Sequence, residues 1–448
     1  MKKAFCRLLP ALFLVALPSA ALAEVSVDST TVLRAFQESR PGFEKSTFLP
    51  ATQFLGVEAT KLGGGNLSAH LYGWGRADLA DKSFNDDQLN GSLTYGYLQY
   101  RFNAANAQAR AGRFFVHEGI INEQVDGVSA RTDLPYGFGV SAFGGATVHT
   151  AHLLDEKSDG KGDGIFGGRA NYRYGGLLEL GLSGVYETKA PVLSDPALAG
   201  RFGDRRLIGA DLWFSPYRMV QLMGHTSYNT ETRGVAENSF LLQLKPLKDL
   251  VLSGEYNEYH DRDLFYSSVL FAGMPSMLSG NNLNQQSRNF GGKASYTVNQ
   301  KVEISGDAKH YTREIGKADR FGGELRCNLA DAQLRTGLGY HYLRASSDFA
   351  IVPSSTASGS FHEMRVYAIR DTKSYQMSLD VIDYLFKKEV TGKDSALEIL
   401  GSLGYHFSPD LTLSGDLSYG SNPQNIDELK GLFRLTYSTT IAGKGDPK

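Results

Sequence analysis

Glu324 and Arg326 stand two residues apart, and so do Glu363 and Arg365. On an extended chain, residues two apart share a face, so each acid and its arginine project the same way and can pair. The same kind of polar row carries Glu179, Asp211, Glu255, Asp307, Asp380, Glu398 and Asp416, against Arg76, Lys293, Lys309, Arg335 and Arg434. Sets of nearly balanced charge do electrostatic chemistry: they hold water and sort ions. Covalent chemistry has no comparable foothold. The chain lacks the Gly-x-Ser-x-Gly and His-Glu-x-x-His signatures, and His117-Glu118 has no second histidine placed for zinc. Its 10 histidines are dispersed without ligand spacing. No catalytic set, metal site or cofactor site is expected, and the chain reads as a non-enzyme.

The elements that must position these charges are strands. From about Ser26 to about Tyr437 the chain is a succession of short alternating segments joined by turn signals. Between Asn66 and Leu79, Leu67, Ala69, Leu71, Gly73, Gly75, Ala77 and Leu79 share one face, while Ser68, His70, Tyr72, Trp74, Arg76 and Asp78 share the other. Leu411 to Tyr419 repeats the pattern. Segments of roughly ten residues with one apolar and one polar row are the mark of a transmembrane β-barrel, in which one row meets lipid and the other water. A closed barrel also leaves no backbone group unsatisfied in the bilayer.

Connections alternate in length. Short ones fall at 62–66, 103–106, 134–136, 173–176, 215–218, 246–249, 299–301, 329–332, 371–374 and 408–410. They carry the Gly, Pro, Asn and Asp residues of tight turns. Longer ones are expected at 80–89, 115–126, 149–164, 188–205, 230–237, 259–288, 312–320, 344–360, 385–394 and 421–430. The segments number about 21 from Thr52 onward, and Ser29 to Gln37 adds a first strand. The expectation is therefore an all-β, antiparallel up-and-down barrel of about 22 strands, within a range of 18 to 22, the even number usual for single-chain bacterial barrels.

Composition agrees. The chain holds 50 Gly, 23 Tyr and 25 Phe, and beyond its start it has no apolar run long enough for a spanning helix. The net charge of −2 argues against a nucleic-acid partner. Met1-Lys2-Lys3, an apolar run from Leu8 to Leu17 and small residues at Ala21 and Ala23 read as an export signal spanning 1–23, with cleavage after Ala23. The barrel then spans 24–438, with a periplasmic tail at 439–448. Cys327 alone follows the signal, so no intrachain disulfide forms, and no haem-attachment motif is present.

Aromatic residues near segment ends, among them Tyr95, Tyr97, Tyr100, Phe102, Tyr172, Tyr174, Tyr340, Tyr342, Tyr405 and Phe407, suit girdles at the membrane interfaces. Trp74 and Tyr72 lie on the polar row instead, where a sugar-stacking track would need them. The connection 259–288 has the length to plug or cap a pore, or to bind a surface partner.

One stretch resembles bacterial general porins. Ala111-Gly112-Arg113-Phe114-Phe115 is followed by Val125-Asp126-Gly127-Val128 and by Leu134-Pro135-Tyr136-Gly137-Phe138-Gly139. In that family a Gly-Arg strand end leads into a third loop that folds into the lumen and narrows it, with loop acids facing wall arginines. The resemblance implies that 115–126 is this loop, with Glu118 and Glu123 as its acids and Arg113 and Arg131 as wall arginines. Arg76, Trp74, Tyr72, Glu324, Arg326, Arg335, Glu363 and Arg365 would line the lumen. The implied function is an outer-membrane channel for passive diffusion of small hydrophilic solutes or ions, in contact with outer-membrane lipid. A barrel of this size without a plug domain also resembles, in architecture, the barrels of porin–cytochrome electron conduits. The alternative is thus a sheath around a multihaem cytochrome. A second copy of the chain is a further expected partner.

Overall fold

The computed structural model describes residues 24–38, 46–62, 65–80, 89–148, 163–191, 202–231, 233–260, 286–313, 316–329, 333–346, 359–390, 392–421 and 428–441. The expected export signal at 1–23, most of the connection at 259–288 and the end of the tail at 442–448 lie outside these residues.

The alternating segments form strands. The first eight are β1 (Glu24–Glu38), β2 (Ser46–Phe48), β3 (Pro50–Leu62), β4 (Leu67–Asp78), β5 (Leu89–Arg101), β6 (Gln108–Glu118), β7 (Ile121–Asp133) and β8 (Phe138–Thr147). The next eight are β9 (Ile165–Tyr174), β10 (Leu178–Pro191), β11 (Phe202–Tyr217), β12 (Val220–Asn229), β13 (Gly234–Leu247), β14 (Leu250–His260), β15 (Gln286–Asn299) and β16 (Val302–Arg313). The last seven are β17 (Gly316–Leu329), β18 (Leu334–Ala345), β19 (Phe361–Asp371), β20 (Tyr375–Val390), β21 (Lys393–Ser408), β22 (Leu411–Ser421) and β23 (Glu428–Ile441). From β3 to β23 each strand pairs antiparallel with the next.

β1 closes the sheet. It pairs with β23 from Val25↔Ile441 to Phe36↔Lys430, and with β3 from Glu24↔Thr60 to Leu33↔Ala51. Short β2 continues the line of β3 along β1, with Phe36 opposite Phe48. The 23 segments therefore make a closed barrel of 22 staves. The wall also runs further than expected at its end: Thr439, Thr440 and Ile441 pair with Val27, Ser26 and Val25, so the first residues of the expected tail belong to the wall.

The period of two sets which row faces lipid. In β10, Leu180 and Leu182 are exposed while Gly181, Ser183, Val185 and Glu187 are buried. In β22, Leu413, Leu417 and Tyr419 project outward, between the inward Ser414, Asp416 and Ser418. Large apolar side chains exposed on the outside of a closed sheet are what a lipid-embedded wall requires.

Every short connection expected from the sequence closes a hairpin, whereas four of the long ones are tight. β6 and β7 are joined by Gly119–Ile120 alone, and β16 and β17, β12 and β13, and β20 and β21 are separated by only a few residues. The strands continue where both rows have become polar. Tyr311, Thr312 and Arg313, for example, pair with Ala318, Lys317 and Gly316. Backbone ladders persist there without the apolar contrast by which strands are recognised in a sequence.

Candidate functional site: a hairpin inside the lumen

β6 and β7 pair with each other along their full length, from Gln108↔Arg131 to Glu118↔Ile121. Their outer partners let go much earlier. β5 pairs with β6 only up to Gly96↔Arg113, and β8 pairs with β7 only up to Val125↔Thr147. Residues 114–124 thus leave the wall as a two-stranded unit. Gly112 makes the departure possible: it has φ +127°, and a Cβ there would collide with the Gly96 carbonyl oxygen.

The unit folds inward. At its tip the Ile120 amide donates to Ser183 Oγ at 3.2 Å, and Ile120 packs against Gly209, on the inward rows of β10 and β11. Phe114, Val116, Ile121 and Val125 are buried against Phe143, Ile165, Val185, Leu207 and Ala236. At about 1.5–3 kcal/mol for each fully buried side chain, this contact is ample to hold the hairpin down. The expected third loop is therefore a β-hairpin with an apolar contact to the wall.

Charge clamps the same contact. Glu123 ion-pairs with Arg205 of β11, whose Nε also donates to Glu187 Oε2 at 2.8 Å. Glu118 accepts a hydrogen bond from Ser141 of β8 and stands in the field of Arg131, Arg169 and Arg110. Of the two arginines assigned to the wall by resemblance, Arg131 is near Glu118 and Arg113 is not. Arg113 grips Asp126 at the hairpin root, with Nε–Oδ1 at 2.7 Å and Nη2–Oδ2 at 2.6 Å, and donates through Nη1 to the Leu93 carbonyl at 3.0 Å. Gln124 Nε2 donates to the next carbonyl, that of Thr94. These bonds satisfy the edge of β5 where β6 has departed.

Arg205 was missed in the sequence because the segment 188–205 reads as a loop. Its position two residues before the inward Leu207 is the one signal that places it on the lumenal row.

The charged residues of β16 to β20 pair mostly across the sheet. Glu324 and Arg326 do pair, at 2.9 Å. Glu363 and Arg365 do not. Glu363 meets Arg320 and His341, both at 3.5 Å, while Arg365 binds Asp380, with Nε–Oδ1 at 2.9 Å. Cross-strand neighbours lie closer than residues two apart along one strand, so the pairing crosses the sheet. Arg335 lines the lumen beside Glu303, Glu324 and Asp380. Arg76 points inward opposite Thr52 and Asn90, with a buried Nη2 that has no hydrogen-bond partner among the described residues.

Two aromatic assignments change. Tyr95 and Tyr97 belong to the inward row with Tyr72 and His70, not to a girdle. A bulge between Tyr72 and Gly73 shifts the register of β5, so the outward row passes from Leu93 to Leu98 and Tyr100. Trp74 and Tyr72 do face the lumen, but Tyr72 is stacked between Phe54 at 6.5 Å and Tyr95 at 5.4 Å. Its faces are taken, so it presents an edge rather than a stacking surface to a solute.

Comparison with known proteins places the fold. No family model and no curated protein matches the sequence. Among solved structures, the ferric enterobactin receptor PfeA of Pseudomonas aeruginosa is similar with a TM-score of 0.55 at 10% identity, covering 92% of this chain and 80% of that one. The same receptor in complex with BCV-L6 gives 0.55 at 11% identity over 92% and 81%. OccAB4 of Acinetobacter baumannii gives 0.46 at 10% identity, over 94% of this chain and 98% of that one.

Proposed function

We propose that the chain is an outer-membrane channel for passive diffusion of small hydrophilic solutes and ions. The observation that carries this reading is the hairpin at 114–124, seated on the inner wall and clamped there by Glu123 and Arg205. A narrowing element built from the barrel itself, in a lumen otherwise lined by water-holding charge, is the equipment of a size and charge filter. Glu118 and Arg131 are its charged lining, and Glu123 serves to anchor it. The barrel fold shared with the enterobactin receptor is consistent with this reading.

The hairpin also bears on the sheath alternative. A barrel that encloses a cytochrome needs its cross-section free, and here a folded element occupies part of it. The open channel is therefore the better fit.

Single-channel recording of the mature barrel in a planar bilayer tests the reading. Stable openings on the nanosiemens scale with weak ion preference are expected. A barrel that inserts and stays silent refutes passive diffusion, and one that conducts only after loss of a copurifying haem protein establishes the sheath.

A further inference from the structure

The hairpin does not cover the wall evenly. In the crook where upper β6 curls over lower β6, β7 and β8 there remains a cavity of about 200 Å3. Arg110, Ser129, Arg131, Glu118, Phe115 and Phe143 line it. Its two guanidinium groups differ from the other arginines nearby. Arg169, Arg173 and Arg205 are each ion-paired to carboxylates. Arg110 instead donates Nε to the neutral Gln99 Oε1 at 3.0 Å, and Arg131 has no hydrogen-bond or ion-pair partner among the described residues.

The one acid of the cavity, Glu118, is held by Ser141. Two arginines against one carboxylate leave a single positive charge to be met. Guanidinium groups meet a carboxylate or phosphate best, through paired N–H donors. The rest of the lining chooses between those anions. Phe115 and Phe143 give the cavity an apolar flank that a carbon chain can cover and a phosphate cannot, and a second negative charge would be repelled by Glu118. The volume lies below that of pockets for drug-sized ligands, roughly 300–1,000 Å3.

We propose that this cavity binds one small organic monocarboxylate, its carboxylate on Arg110 and Arg131 and its carbon chain against Phe115 and Phe143. The site rests on the diffusion-channel reading, because a solute reaches it through an open lumen. It adds a substrate class to that reading: small organic acids dwell at the hairpin root during passage.

The test uses the folded mature barrel in a planar bilayer, with chloride current recorded while sodium butanoate is titrated. Sodium phosphate and the uncharged butanamide serve as comparisons. Butanoate is expected to reduce the current at millimolar concentration, with both comparison solutes at least tenfold weaker. Arg131→Ala should raise the half-blocking concentration of butanoate at least tenfold, and Arg131→Lys should raise it less. Phosphate or butanamide as potent as butanoate overturns the proposal. An open channel indifferent to butanoate also overturns it and leaves the diffusion reading standing. The chloride current before any addition reports separately on that reading. If no current flows, titration calorimetry of the detergent-folded barrel with butanoate decides the site: heat that Arg131→Ala removes supports it, and no heat refutes it. Retained heat-modifiable migration on gels shows that each variant is folded.

Discussion

Glu123 and Arg205, 82 residues apart in the chain, meet inside the barrel, where Arg205 also holds Glu187. Glu187 is almost fully buried, at 2% exposure. One guanidinium thus joins an acid of the wall to an acid of the hairpin. The contact lies beyond the point where both neighbouring strands have released β6 and β7. No backbone ladder holds the tip, so side chains must.

Arg205→Ala should therefore loosen the hairpin far more than the barrel. It leaves two carboxylates facing one another in a largely buried contact, and breaking a buried pair in this way costs about 3–5 kcal/mol. Amide hydrogen exchange is the measurement: residues 114–124 should exchange at least ten times faster, with the wall strands unchanged. Unaltered exchange in 114–124 would show that apolar burial alone seats the hairpin.

The turn at Gly119 gives a second handle. Its φ is +62°, and a Cβ there would lie 2.6 Å from Ser183 Oγ and 2.7 Å from Asp211 Oδ2. Gly119→Val combines backbone strain of about 1–3 kcal/mol with a steric push away from the wall. With Cys327 replaced by serine, cysteines at positions 120 and 183 report the seating through disulfide yield, because the Ile120 amide lies 3.2 Å from Ser183 Oγ. Adding Gly119→Val should at least halve that yield, and an unchanged yield would place the tip elsewhere.

These two positions mark what sequence reading reaches. Local alternation placed the strands, since a period of two needs only neighbours, and the short turns carry their own residues. Glu118 and Glu123 were legible as candidate acids through the motif around Gly112 and Arg113. Their partners were not. Arg205 reaches Glu123, and Ser141 reaches Glu118, through barrel closure and an inward fold that no local pattern encodes. Tyr95 and Tyr97 were misplaced for the same kind of reason: the bulge opposite Tyr72 changes which row faces inward. Where polar residues fill both rows, as from Lys309 to Thr312, the period itself vanishes and strand reads as loop.

Arg113 anchors the root through geometry as much as charge. Its planar fork meets both oxygens of Asp126 and the Leu93 carbonyl at once, which the single ammonium of lysine cannot do. Arg113→Lys should keep the charge and still lose about 1 kcal/mol, a figure kept small because Asp126 is partly exposed. Arg113→Ala should lose more, because the β5 edge carbonyl is then left without its donor. Urea unfolding of the barrel in lipid vesicles orders the variants, and a lysine variant as stable as wild type would reduce the pair to simple attraction.

The assignment of rows is tested by two arginines placed on neighbouring staves. Leu417 of β22 is 58% exposed on the outer face, beside the cross-strand pair of Ser402 in β21 with Asp416. An arginine on the lipid face of a barrel costs about 2–4 kcal/mol near the bilayer midplane, whereas one in the lumen keeps its water. Leu417→Arg should therefore destabilise folding into vesicles by an amount in that range. Ser402→Arg should be nearly neutral, because its side chain enters the lumen next to the Asp416 carboxylate. The two substitutions sit on paired strands and add the same group, so a difference between them reports the face alone. A larger cost at Ser402 than at Leu417 would mean that the inner and outer rows of β21 and β22 are assigned the wrong way round, and equal costs that the lumen there is dry.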